Sequence, residues 1–142
     1  MKYFALLATL LLVAVSCKEE KKAQEPSRME AIMAVHDSVM PRMSELSSLV
    51  AELKPLADST EAGQPYREAM EGLQASHQSM MDWMRGFGER FDHEEVMKGK
   101  ELSPEKKEWL VEEEAKVNAM RDQVFESIEK ARTVLEAREG GM

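Results

Sequence analysis

The sequence predicts an all-α protein: an up-down-up three-helix bundle with coiled-coil-like seams, preceded by a signal peptide and a short charged tether. Three observations predict it. Apolar residues recur at alternating spacings of four and three through three long stretches, the period of a helical seam. Aromatics make up 6% and the chain holds seven Gly and five Pro, which leaves few strand or hairpin signals. A length of 142 residues with 43% hydrophobic side chains bounds the chain to one small folded domain.

Residues 1–17 read as a lipoprotein signal peptide. Ala5 to Val15 is an apolar run of eleven residues, whereas a helix needs about 20 to cross a hydrocarbon core; it is an h-region and not a span. The only cysteine follows directly, in Ala14-Val15-Ser16-Cys17, which resembles the lipobox cut by lipoprotein signal peptidase. Lipidation at Cys17 anchors the chain in the membrane through several acyl chains and leaves no thiol for disulfides, metal or nucleophilic chemistry. Lys18-Glu19-Glu20 fits either a simple charged tether or the Lys-plus-two-acids signal that sends lipoproteins to the cell surface. Residues 18–26 (KEEKKAQEP) have no apolar side chain but Ala23 and form a tether of roughly 15–20 Å reach.

The folded part spans 27–138. Ser27 with Glu30 has the form of a capping box and opens a first helix, 27–54, with its stripe at Met29, Met33, His36, Met40, Met43, Leu46, Val50 and Leu53. Pro41 removes the hydrogen bond to the carbonyl of residue 37 and kinks that helix. Pro55, Gly63 and Pro65 bracket a turn, and a second helix follows over 65–91, striped at Tyr66, Met70, Leu73, His77, Met80, Met84, Phe87 and Phe91. A polar connection, DHEEVMKGKEL, leads to Ser103-Pro104-Glu105, an N-cap followed by Pro at the first helical position. The third helix, 104–138, carries Leu110, Val117, Met120, Val124, Ile128, Ala131 and Leu135; residues 139–142 are a tail. At 1.5 Å per residue the helices are about 40, 40 and 52 Å long. Leu46, Leu53, Leu73, Phe87, Val117, Val124 and Ile128 are the predicted core.

Twelve methionines are many for 142 residues, and those near histidines fall in two windows. A turn centred near residue 60 pairs positions whose numbers add to about 120, so that His36 faces Met84, Met40 faces Met80 and Met43 faces His77 across the seam. Positions of the second and third helices pair at about 196, bringing Met120 near His77. Thioether sulfur with imidazole is a soft donor set that suits Cu(I) better than Zn(II), Mg(II) or Ca(II). The candidate metal ligands are therefore His36, Met84, Met80 and Met40, with His77 and Met43 as a second set. Trp83 lies beside Met84 and has a π face for a bound cation. Two other readings of the windows stand: Met as adaptable core packing, and a haem held by a Met/His pair.

Other chemistry finds little support. The formal charge of −8, or −9 once residues 1–17 are removed, argues against nucleic-acid binding and against lying on an anionic bilayer. No Glu stands three residues before a His, which excludes a ferritin-like di-iron centre, and there is no phosphate-cradling Gly loop, H-E-x-x-H or serine elbow. His93 is placed past a helix end in solvent. The seam brings Glu113 or Glu114 near Arg85 as a rim ion pair.

At Met33 to Met43 (MAVHDSVMPRM), Met80 to Met84 (MMDWM) and Lys98 to Leu102 (KGKEL) the chain resembles a family of small Bacteroidota lipoproteins that commonly carry the transferred name "viral A-type inclusion protein". The resemblance covers most of 27–138 and implies an envelope address and a helical fold, with no established activity. The expectation is a non-enzymatic helical lipoprotein of the cell envelope, in the outer membrane and open to surface exposure, acting as an interaction or structural module. Its partners are the membrane through Cys17 and a protein or a second copy through helical faces. The alternative is a Cu(I)-handling lipoprotein using the Met/His windows.

Overall fold

The structure is a computed structural model and describes residues 27–140. The signal peptide, Cys17, the whole tether and the end of the tail lie outside the described residues. Those residues form five α-helices and no strand: α1 (Arg28–Val39), α2 (Arg42–Leu53), α3 (Gln64–Arg90), α4 (His93–Met97) and α5 (Pro104–Gly140).

Each boundary has a local cause. Ser27 caps α1 as expected: its backbone N–H donates to Glu30 Oε2 at 2.6 Å and its hydroxyl accepts from the Glu30 N–H, two unpaired donors satisfied by two side chains. The expected single helix over 27–54 is instead two. Met40 still donates to the His36 carbonyl at 3.1 Å, and beyond Pro41 the ladder restarts with a bond from Met43 N–H to the Met40 carbonyl at 3.2 Å. The missing proline N–H therefore breaks the helix and does not merely bend it. The buried positions nonetheless stay in phase across the break, at Met29, Ile32, Val39, Leu46, Leu49 and Leu53.

Between α2 and α3 the chain turns around Asp58, whose carboxylate accepts from the Thr60 N–H at 2.9 Å. Gly63 is required there, because a Cβ would stand 2.2 Å from Asp58 Oδ1 and 2.6 Å from its carbonyl oxygen. The polar connection after α3 contains a further short helix, α4. Phe91 is extended, and Asp92 then caps α4 in a second capping box, accepting from the N–H groups of Glu94 and Glu95 at 2.9 Å while Glu95 accepts from the Asp92 N–H. Gly99, at a φ of +66°, follows. Ser103 accepts from the Lys106 N–H at 3.3 Å and α5 begins at Pro104 as predicted.

Packing follows from which faces are apolar. α3 and α5 run antiparallel: Arg90 meets Glu112 and Glu113 at 2.7 and 3.1 Å, Ser76 meets the Gln123 carbonyl and Ser127 Oγ at 3.1 and 2.9 Å, and Lys130 lies 3.7 Å from Glu68. α1 and α2 run alongside α5 in the same direction, tied by Arg28 to Glu114 at 2.9 Å and by Arg132 to Glu45. All seven predicted core residues are buried, with Leu53, Leu73, Val117 and Val124 fully enclosed.

Two expected pairings are corrected by this packing. Arg85 pairs with Asp82 on its own helix, while Glu113, 2% exposed, is answered by Arg90 and by Lys116 at 2.8 Å. Met120 is buried near Trp83, with which it lines one hollow, and not beside His77. In α3 the buried face carries Ser76 and Trp83 where His77 and Met84 were expected.

Candidate functional cleft

A ladder of rings begins on α3. Trp83, Phe87 and Phe91 stand one turn apart, so their side chains lie one above the other on the same face; ring centroids are 5.0 Å apart for Trp83 and Phe87 and 4.9 Å for Phe87 and Phe91. The ladder extends at one end to His36 of α1, 5.6 Å from Trp83, and at the other to Trp109 of α5, edge-on to Phe91 at 6.4 Å. Cations border its far end, with Arg90 over Trp109 at 5.3 Å and Lys106 over Phe91 at 5.9 Å.

This ladder forms the floor of a cleft of about 260 Å³. α1 contributes Met33 and His36, α3 contributes Trp83, Met84 and Phe87, and α4 contributes His93, Val96 and Met97. A larger hollow of about 570 Å³ adjoins it, shares Met33, Val96 and Met97, and extends to Ser27 and Glu30 at the start of α1. That second hollow thereby reaches Ser27, the first described residue.

His36 is held firmly. Its side chain is 13% exposed, and Nδ1 lies 3.0 Å from Asp37 Oδ1. In the tautomer whose Nδ1–H donates to Asp37, Nε2 is the ring nitrogen open to a ligand. Beside it Trp83 is 7% exposed, and its Nε1 is buried without an acceptor, a donor left unmet where such groups ordinarily find a partner.

The α4 wall is fixed electrostatically. Glu95 is buried and takes Lys106 Nζ at 2.6 and 2.8 Å. That ammonium, and then the Asp92 N–H, hold the Glu95 carboxyl below the usual range. The Glu95 N–H and then Lys100 do the same for Asp92, whose charge in turn raises Lys100. Asp92 also borders the cleft, but its oxygens are already committed to the cap and to Lys100.

The six predicted metal ligands are distributed as follows. His36 and Met84 line the same cleft. Met80 is 1% exposed in the core, and Met43 packs against that core half-buried. Met40, in the break between α1 and α2, is 42% exposed. His77 is exposed and borders a different hollow, with Leu46, Ser47, Val50 and Gln74. Among the described residues no three His, Cys, Asp or Glu are grouped to hold a metal ion.

Sequence reasoning missed His93 and Met97 as neighbours of His36 and Met84. Asp92-His93-Glu94-Glu95 has the acid-x-x-Glu form of a helix start, the one signal that pointed to α4. Comparison with known proteins gives no matching family model, no matching curated protein and no matching solved structure.

Proposed function

We propose that the chain is a lipid-anchored, non-enzymatic protein of the bacterial cell envelope, related to the small lipoproteins it resembles. It is an up-down-up three-helix bundle, α1 and α2 forming one leg, lipidated at Cys17 and acting as an interaction module. The observation that carries this reading is the junction of anchor and cleft. The eleven-residue apolar run ends at the sole cysteine, a polar stretch follows in the sequence, and the hollow that adjoins the ladder-floored cleft reaches Ser27, the next residue after that stretch. None of the described helices is long and apolar enough to cross a membrane. The outer membrane is the proposed site, and a protein or a second copy against the exposed helical faces the proposed partner.

Mass spectrometry of the membrane fraction tests the anchor, with Cys17 expected as the acylated N-terminal residue. Wild type and Cys17→Ser should separate, the first into detergent and the second into the aqueous phase. Equal partition of the two proteins would refute lipid anchoring.

A second reading, Cu(I) handling in the envelope, is favoured by one observation: the soft donors His36 and Met84 border a common cleft. Retention of Cu(I) by the purified protein against a chelator tests it.

A further inference from the structure

We propose that the cleft between α1, α3 and α4 is a Cu(I) site whose donors are His36, Met84, His93 and Met97. The proposal rests on the Cu(I)-handling reading and replaces the ligand sets that the sequence alone suggested.

Four soft donors from three separate elements border one small hollow. Met84 and Met97 border the cleft and are 40% and 67% exposed, so their thioethers are accessible to an ion arriving from solvent. Their flexible side chains can close over an ion. His93 and Met97 stand one turn apart on α4, so both fall on one face of that helix. α4 is itself pinned by the Asp92 cap and by the Glu95 pair with Lys106.

His36 supplies the preorganised donor. Its Nδ1 lies 3.0 Å from Asp37 Oδ1, the arrangement by which an outer carboxylate orients a ligating imidazole. The indole of Trp83 lies against that ring and helps to hold it in place. The chemistry selects the ion. Two thioethers and two imidazoles, with the nearby Asp92 carboxylate committed elsewhere, form a set suited to Cu(I) and poor for Mg(II) or Ca(II). Met80 and Met40 have no place in it, the one enclosed in the core and the other turned outward at the helix break.

The test is an anaerobic titration of Cu(I) against bicinchoninate with the full chain in detergent. Wild type should retain one Cu(I), and Met84→Leu, Met97→Leu, His93→Ala and His36→Ala should each weaken binding about tenfold or more. Met40→Leu and His77→Ala should bind as wild type. Met97 is largely exposed, so its variant reports on the donor with the fold intact, and circular dichroism of each variant confirms this. If wild type holds Cu(I) but the α4 variants bind equally well while Met40→Leu or His77→Ala weakens it, this assignment is wrong and the Cu(I) reading survives. If wild type yields all its Cu(I) to the chelator, both fall.

Discussion

The imidazole of His36 lies 5.6 Å from the indole of Trp83, with their planes tilted by 32°. This contact joins α1, which packs chiefly on α5, to α3, and it places a hydrogen-bonded histidine at the head of an aromatic ladder. It also explains why Met84 borders the cleft: with Trp83 turned into the core, the next residue along the helix falls at its edge.

The core should respond to truncation in proportion to burial. Leu73→Ala, at a fully enclosed position, should lower stability by about 2–5 kcal/mol, while Val111→Ala, at an exposed one, should change it by under about 0.5 kcal/mol. Urea unfolding followed by circular dichroism measures both. Equal effects would contradict the packing of α3 on α5.

Two glycines should behave oppositely. Gly63→Ala drives a methyl group into the Asp58 side chain and backbone and should destabilise the α2–α3 turn by about 1–3 kcal/mol. Gly86, inside α3 with open space where a Cβ would go, should gain about 0.5–1 kcal/mol as Ala through helix propensity. Thermal unfolding of the two variants distinguishes a steric requirement from a tolerated residue.

Acid should loosen α4. The carboxyls of Asp92 and Glu95 are held below their ordinary values in the folded protein, so their contribution to stability is full above the unfolded carboxylate range, about pH 4–4.5. It is lost as pH falls through the lower folded values. Hydrogen exchange at the Val96 and Lys98 amides, which donate to the Asp92 and Glu94 carbonyls, should quicken relative to the amides of α5 as pH drops below about 4. Glu95→Gln should already show the faster exchange at neutral pH. An unchanged ratio across that range would contradict the role of the cap.

Much of this fold was legible in the sequence, for a definable reason. Leu73, Met80 and Phe87 recur every seven residues, and Leu46 with Leu53 and Val117 with Val124 repeat that interval, so any helical reading places them on one face. Between them the period leaves a choice. Ser76 or His77, and Trp83 or Met84, both fit an alternation of three and four, and a 3.6-residue helix packed on two neighbours buries both flanks of the seven-residue line. The conflict is decided by α5: Ser76 is small enough to meet Ser127 across the crossing, and its hydroxyl finds acceptors there. Of the facing pairs expected across the first turn, His36 and Met84 do border one cleft, whereas Met40 is exposed while Met80 is buried, and His77 borders a hollow with Leu46, Ser47 and Val50 rather than with Met43.

The cleft was less legible. His36 and Met84 were brought together by that pairing, but His93 and Met97 reach them only because Phe91 is extended and α4 folds back. That reversal is a tertiary event, driven by burial of Phe91 and Glu95, and no periodicity records it.

The convergence of α1, α3 and α4 on one donor-lined cleft is tested most directly by methionine-methyl NMR of the full chain titrated with Ag(I), a soft ion that stands in for Cu(I) without redox chemistry. The methyl resonances of Met84 and Met97 should shift together and saturate at one equivalent, while those of Met40, Met80 and Met120 stay in place. Saturable shifts confined to Met40 and Met43, or no shift at Met84 and Met97, would contradict it.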